Sequence, residues 1–466
     1  MKINGNTILL SPGEIINVEC EKQTSAQPVL EPVSHVDEHP KDLGKHLYTF
    51  GGISDEHVNK DDNKKSEYVA DLVNACRYYI GEGADFIINC GDICEYNYED
   101  FEQFNRIYTE QAFAPTGGKL RLHSVLGNHD YLMLYHPFDD YDKQKYASRE
   151  MVWQVNIAPF HEPESELHFF EYGAKWDDPQ YSGNRTIKSK QNYWFEKHGD
   201  LFACMSIDYG QSAGTPWDDV SRGWNLLDYK DPYVKRMTEY VSDTNYNRAR
   251  ESAFDYQFYN PEVLCWLWDI LDANQDKRVI IPHHLFFPHK AGDSDGQYSH
   301  LRIWPHPKTE AERNKYYAGS NTLCGLTFWF LDKLNNEYHN AIFVGGHNHR
   351  LAADDITVCC HDYPIIKPTG NEVMPLVDNL ESLTGTQYDY RLYTRATQEP
   401  CGNAGWTIGL PSLSKPVDGN NKTLYGASEG ALFEVYENGI ILKMIRFKAA
   451  GDDYYRNEIA ETIRII

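Results

Sequence analysis

The chain has 466 residues, of which 41% are hydrophobic and 14% aromatic, a composition that can bury a large core and excludes an intrinsically disordered protein. Its net charge of −25 repels nucleic acid and anionic membranes from most of the surface, so extended nucleic-acid binding is not expected. A polyanionic substrate is admitted only where cations reverse the local field, and a small phosphoester satisfies that condition.

The first residues, Met1-Lys2-Ile3-Asn4-Gly5-Asn6, contain no apolar signal core. Residues 1–23 read as a short β arm, with Ile8-Leu9-Leu10, a turn at Ser11-Pro12-Gly13, and the alternation Ile16, Val18, Cys20. Pro28, Pro32 and Pro40 among scattered charges make residues 24–46 an extended linker. The arm is either an extra edge strand on the main sheet or an element that attaches the protein to a homo-oligomer or larger assembly. Residues 47–466 are expected to form one elaborated catalytic domain.

From Leu47 the pattern becomes β-α-β. A strand runs into Asp55, and a helix follows with Val69, Leu72, Val73, Cys76 and Ile80 on one face. Gly81 and Gly83 stop that helix, Asp85 to Asn89 forms the next strand, and Gly91-Asp92 sits at its end. A helix over 98–112 leads to the strand that ends at Gly127-Asn128-His129-Asp130. Residues 131–260 read as a large insertion, with strands at 167–172, 193–197 and 201–208. Insertions beside a strand-end site shape its mouth, so substrate choice is expected there. A helix from Pro261 to Leu271 precedes the strand Arg278 to Ile281 and the pair His283-His284. A second helix, Leu323 to Leu334, precedes Ala341-Ile342-Phe343-Val344 and then Gly346-His347-Asn348-His349. The strand-rich part 351–466 closes with 431–435 and 440–445, expected to complete a second sheet.

Asp, Asn and His thus recur just past the carboxyl ends of strands, where side chains from several strands converge on one crevice. Carboxylate, amide and imidazole donors gathered there suit hard or borderline divalent metals. Each cluster alone has an ordinary reading, since single histidines are common and a lone Gly-Asp is commonly a turn. Their joint order carries the signal.

The order Asp55-x-His57, Gly91-Asp92, Gly127-Asn128-His129-Asp130, His283, Gly346-His347-x-His349 resembles the calcineurin-like metallophosphoesterase superfamily over residues 47–350. The resemblance implies an α/β fold, a four-layer α/β/β/α sandwich of two mixed sheets. It implies two divalent metal ions, manganese, iron or zinc, the first held by Asp55, His57 and His349. Asn128, His283 and His347 then hold the second, with Asp92 bridging both. The family uses the first histidine after the strand, which selects His283 over the adjacent His284; Pro282 directly before it departs from the common apolar residue. His129 is the implied catalytic partner near the leaving oxygen, and Asp130 the group that orients and charges it. The implied reaction is in-line attack on phosphorus by a metal-bridging hydroxide.

Glu56, inside Asp-x-His, reads either as a solvated loop carboxylate or as an acceptor for a ligand histidine. Tyr131, Lys290 and Arg350 flank the motifs and read as solvated residues or as contacts to the phosphate. The expected function is a metal-dependent phosphoester hydrolase, with a phosphodiesterase favoured over a phosphomonoesterase or protein-phosphatase-like activity. A structural module of a virion or surface assembly is the alternative. The ten cysteines show no zinc-type Cys-x-x-Cys spacing, which favours a reducing compartment. No run reaches the ~18 apolar residues of a membrane span, and a cytoplasmic or assembly-associated location is expected.

Overall fold

The structure, a computed structural model, describes residues 2–3, 6–7, 41–59, 65–94, 98–127, 129–130, 160–171, 188–206, 208–209, 232–241, 252–254, 257–259, 261–285, 301–303, 323–347, 349, 358–360, 405–414, 427–448 and 457–465. The chain forms two compact units, Met1–Asp37 and Glu38–Ile466. In the first, Lys2–Ile3 pairs antiparallel with Asn6–Thr7. The strands expected at 8–10 and 16–20 lie outside the described residues. Residues 41–46, the end of the expected linker, are built into the second unit. Lys41–Leu43 forms a 3-10 turn, and Leu43 is buried with Tyr436 and Ile441.

In chain order the second unit contains β1 (His46–Ile53), α1 (Lys65–Gly81), β2 (Phe86–Asn89), α2 (Tyr98–Tyr108), β3 (Arg121–Ser124), β4 (His168–Glu171), β5 (Lys188–Lys197) and β6 (Asp200–Cys204). There follow α3 (Pro232–Tyr240), α4 (Pro261–Ala273), β7 (Val279–Leu285), α5 (Leu323–Glu337), β8 (Ala341–Gly346), β9 (Val358–Cys360), β10 (Trp406–Gly409), β11 (Ala427–Tyr436), β12 (Gly439–Lys448) and β13 (Glu458–Ile465). Two small antiparallel pairs, Asp208–Tyr209 with Gln257–Phe258 and Ser252–Phe254 with Leu301–Ile303, lie outside the main sheets.

A six-stranded sheet has the order β13-β12-β11-β1-β2-β3, and a seven-stranded sheet the order β9-β10-β8-β7-β6-β5-β4. Both are mixed. In the first, β1, β2 and β3 are parallel through the crossovers α1 and α2, while β11 joins β1 antiparallel. The spacing of Leu72, Ala75, Cys76 and Tyr79 gives α1 one continuous buried face. That helix contacts β11 and β12, and α5 contacts β8, which makes an α/β fold of two sheets carrying helices.

Aromatic rings fill the space between the sheets. Phe50 stacks on Phe86 and Phe433 at centroid distances of 5.2 and 4.4 Å. Phe202 of the other sheet meets Phe50 and Phe86 edge-on at 5.4 and 5.2 Å, and itself stacks on Phe195 at 4.9 Å. At one end of the sandwich the sheets are also joined by polar contacts. Tyr48 Oη donates to Asp200 Oδ2 at 2.7 Å, and Arg278 Nε donates to Asp200 Oδ1 at 3.0 Å. Arg278 Nη1 donates to the carbonyls of Tyr436 and Gly439 at 2.6 and 3.1 Å.

Two expectations are corrected. The C-terminal strands 431–435 and 440–445 do not complete the second sheet; β11 and β12 extend the first, because Phe433 stacks on Phe50 of β1. The stretch 131–260 is not insertion throughout. Its strands β4, β5 and β6 belong to the second sheet, and β6, with every residue buried, runs parallel beside β7. Phe202 and Phe195 come from this stretch and supply a large part of the aromatic layer. No helix among the described residues is long and apolar enough to cross a membrane.

Candidate metal centre

Beyond the ends of β1 and β2 the chain leaves the sheet but keeps its parallel hydrogen bonds. Cys90 N donates to the Ile53 carbonyl, Asp55 N to that of Gly91 and His57 N to that of Asp92, each at 2.9 Å. The loops carrying Asp55, His57 and Asp92 are therefore fastened side by side before any metal is considered. Their backbones are strained. Asp55, His57, Asp92, His347 and His349 have φ of 56, 47, 56, 74 and 52°, in the left-handed region that costs a residue with a β-carbon about 1–3 kcal/mol. Among the described residues only one other non-glycine, His198, has a positive φ. Glycines give the room for this crowding. A β-carbon on Gly91 would stand 2.5 Å from Gly127 N and 2.9 Å from His284 Nδ1, and one on Gly346 would overlap Ser54 Oγ.

Two groups of ligand atoms result, and they share one residue. Asp55, His57, Asp92 and His349 each offer an atom within 4.8 Å of the others, and so do Asp92, His284 and His347. In the first group His57 Nε2 lies 2.8 Å from His349 Nε2, which lies 3.0 Å from Asp55 Oδ1. In the second, His284 Nε2 is 3.0 Å from His347 Nδ1 and 3.4 Å from Asp92 Oδ1. The other carboxylate oxygen, Asp92 Oδ2, is buried and has no hydrogen-bond partner among the described residues. It lies 3.7 Å from His57 Nε2 and 4.0 Å from His129 Nε2. Imidazole nitrogens and carboxylate oxygens converging without thiolate fit divalent cations. The site opens on the side of His129 and His349, whose side chains are 24% and 20% exposed.

Charges inside the cluster are mutually supporting. Burial would raise the pKa of Asp92, but the charges of His284, His129 and His57 outweigh it and hold the carboxyl well below its usual range. Burial is likewise outweighed by His349 at Asp55. Burial would lower the His284 pKa, yet Asp92 lifts it to about 9. Asp55 is further fixed by Ser54 Oγ, which donates to Oδ2 at 2.6 Å, and by His347 N, which donates to the same oxygen at 2.9 Å.

The structure places His284, and not the expected His283, in the second group of ligand atoms. Ile280 of β7 pairs in register with Phe202, whose ring meets the other sheet, but the ladder is irregular between Pro282 and Leu285, so simple alternation does not carry through to the histidines. The strand continues to Leu285, past the expected end at Ile281, and His284 is the histidine that faces the cluster. Its Nδ1–H donates to the Cys90 carbonyl at 2.7 Å, which aims Nε2 at Asp92 and His347. His283 points the opposite way, with Nδ1 3.1 Å from Tyr259 Oη and its ring edge-on to Phe343. Burial and the neighbouring His284 push its pKa down to about 3.

Asp130, expected to orient His129, is placed among backbone amides. Its carboxylate accepts hydrogen bonds from the backbone N–H groups of Asp92, Ile93, Cys94 and Gly127 at 2.8–3.1 Å. It binds the loop after β2 to the loop after β3. Burial and the Asp92 charge raise its pKa to about 7, against the pull of those amides. His129 is held from its backbone, where N donates to Asp92 Oδ1 at 2.8 Å. Asn128, Tyr131, Lys290 and Arg350 lie outside the described residues.

No family model matches the chain, and no curated protein matches it. Solved structures do. One is a dimetal phosphatase from Danio rerio, 12% identical, at a TM-score of 0.41 over 90% of this chain and 99% of that one. Another is TT1561 of Thermus thermophilus, 11% identical, at a TM-score of 0.31 over 85% of this chain and 98% of that one. Both sheets contribute to the cluster, Asp55, His57 and Asp92 from one and His284, His347 and His349 from the other.

Two residues around this site, Ser54 and Ser412, were beyond the reach of the motifs, and a third, Glu56, was read in two ways. Ser54 precedes Asp55, and only its contact reveals it. Ser412, whose Oγ donates to the Asp55 carbonyl at 3.0 Å, lies 357 residues away in the chain. Glu56 is not a solvated carboxylate; it is 1% exposed, and burial raises its pKa well above the usual range.

Proposed function

We propose that this protein hydrolyses phosphoesters at a binuclear metal centre, with diesters preferred. The observation that carries the proposal is the position of Asp92 in both groups of ligand atoms. A carboxylate common to two sites would let the chain hold two cations side by side, as two-metal phosphoryl chemistry requires. Asp55, His57, Asp92 and His349 would hold one cation, and Asp92, His284 and His347 the other, with Asn128 joining the second on the strength of its motif. When bound, the cations supply acidified water and neutralise charge at phosphorus.

The chain's own residues supply the rest. His129 stands at the open side of the cluster, where a protonated imidazole can give its proton to the departing oxygen. That step matters most for the poor leaving groups of alkyl diesters. A diester also brings one negative charge where a monoester brings about two, the smaller burden beside a protein of net charge −25. Asp130 holds the loop that carries His129 against the loop that carries Asp92.

The test is hydrolysis of bis(p-nitrophenyl) phosphate against p-nitrophenyl phosphate with manganese, zinc or iron. The diester should be the better substrate, and His129→Ala should lower its turnover by about 10²–10⁴-fold. Inactivity of the intact protein toward both substrates with every metal would end the hydrolase reading. A monoester preference would end only the diester part.

A further inference from the structure

The two sheets bring their ligands from opposite sides, so something must fix the distance between them. The segment after β10 occupies that place. Strand β10 lies parallel to β8, with Gly409 opposite Gly345, and so emerges beside the Gly346-His347 loop. Leu410 N donates to the Gly345 carbonyl at 2.7 Å, which ties the segment to the second sheet. Three residues later Leu413 N donates to the Ser54 carbonyl at 2.9 Å, and between them Ser412 Oγ donates to the Asp55 carbonyl at 3.0 Å. Leu410, Ser412 and Leu413 are all buried. Within four residues the chain is hydrogen-bonded to the metal-bearing loops of both sheets.

Ser412 acts where the backbone is least able to hold itself. Asp55 is left-handed at a φ of 56°, and such a residue persists only when its surroundings fix it. Its side chain is fixed by Ser54 and His347, but its peptide carbonyl is fixed by Ser412. Without the hydroxyl that buried carbonyl loses its side-chain donor, and the peptide is free to rotate toward the ordinary region, carrying the Asp55 carboxylate with it.

We propose that residues 410–414 are a strap that sets the spacing of the two halves of the metal centre, and that Ser412 is a positioning residue for Asp55. The proposal rests on the metal-centre reading above. Groups that orient a metal ligand alter affinity by about 10–100-fold when removed. Ser412→Ala is therefore expected to weaken the site of Asp55, His57 and His349 by at least about tenfold, with less effect on the other.

The experiment is calorimetric titration of the full-length metal-free protein with Mn²⁺. Two binding events are expected for the unaltered protein, with one weakened in Ser412→Ala and restored in Ser412→Thr, which keeps the donor. Ser414→Ala is the control, since Ser414 is buried in the same segment and its Oγ has no hydrogen-bond partner among the described residues. It should bind Mn²⁺ as the unaltered protein does. Unchanged affinity in Ser412→Ala, or an equal loss in Ser414→Ala, would overturn the strap. Should Ser412→Ala not fold, Ser412→Cys replaces it, and unaltered affinity with that weak donor would count equally against the proposal. No Mn²⁺ binding by the unaltered protein would overturn the metal-centre reading along with it.

Discussion

The two ends of the sandwich both bury charge between the sheets, and they do so in opposite ways. At one end Asp200 receives Tyr48 and Arg278, and Arg278 directs further donors to the Tyr436 and Gly439 carbonyls. Every partner there is supplied by the chain, and none of those residues has a left-handed backbone. At the other end Asp92 keeps one buried oxygen without a hydrogen bond among the described residues, imidazole nitrogens face each other at 2.8 and 3.0 Å, and five ligand-bearing residues are left-handed. The first arrangement matches donors to acceptors and serves stability. The second is an excess of acceptors held in place against strain, the condition of a site made for cations.

The largest effect should come from exchanging one carboxylate for its amide at each end. Asp92→Asn removes the shared ligand and is expected to reduce diesterase turnover by about 10³-fold or more, because several kcal/mol of charge stabilisation depend on it. The melting temperature of the metal-free protein should fall less than in Asp200→Asn, because the lost pairing with His284 is offset by relief of a buried carboxylate oxygen that has no hydrogen bond among the described residues. Asp200→Asn should do the reverse. It leaves Arg278, 20% exposed, with half of its pairing lost, at a cost of about 3 kcal/mol, while turnover stays within about twofold. A melting temperature lowered more by Asp92→Asn than by Asp200→Asn would show that the two ends do not differ in the way described.

A smaller contrast lies between adjacent histidines. His284→Ala should weaken Mn²⁺ binding by at least about tenfold, since its Nε2 faces Asp92 and His347. His283→Ala should leave Mn²⁺ affinity near that of the unaltered protein and instead lower stability by about 2 kcal/mol, through lost packing against Phe343 and Tyr259. Metal titration of the two variants separates these outcomes, and a greater loss in His283→Ala would return the ligand role to the first histidine.

That pair also shows how far the sequence could be read. The motifs marked where β1 and β2 leave their sheet, and the structure brings Asp55, His57, Asp92, His347 and His349 together. The face of β7 was not legible. Val279, Ile280 and Ile281 are all buried and apolar, so hydrophobicity leaves no trace of the strand's faces, and the irregularity between Pro282 and Leu285 leaves none either. The membership of β4, β5 and β6 in the second sheet was hidden for a related reason. Strand β6 joins that sheet through β7, a partner distant in the chain, and a wholly buried strand such as Asp200–Cys204 has no alternation to declare it. Ser412 had no motif at all, since its role exists only after both sheets are assembled.

The smallest effect concerns a third region, where a buried polar group lacks partners but no site exists. His123 is fully buried, stacks on Phe195 at 3.8 Å and has no hydrogen bond at either ring nitrogen among the described residues. His161 lies 5.0 Å away, its Nε2 3.4 Å from Tyr193 Oη. Burial pushes the His123 pKa well below its usual value and that of His161 to about 3, with the Arg121 charge adding to both shifts. Both are therefore neutral when folded and take up protons only on unfolding, so their contribution to stability is present above about pH 6.5 and is lost as the pH falls toward 3. His284, raised to about 9 by Asp92, has the opposite sign, with a contribution present below about 6.5 that fades as the pH rises through 9. Between pH 6.5 and 5 each core histidine should cost about 2 kcal/mol, which urea unfolding at the two pH values would register. His123→Phe keeps the ring and removes the protonation, and should recover about that amount at pH 5 while leaving Mn²⁺ affinity unchanged. A loss of Mn²⁺ affinity in that variant would mean that a buried nitrogen without a hydrogen bond marks function even where no ligands converge and no backbone is left-handed.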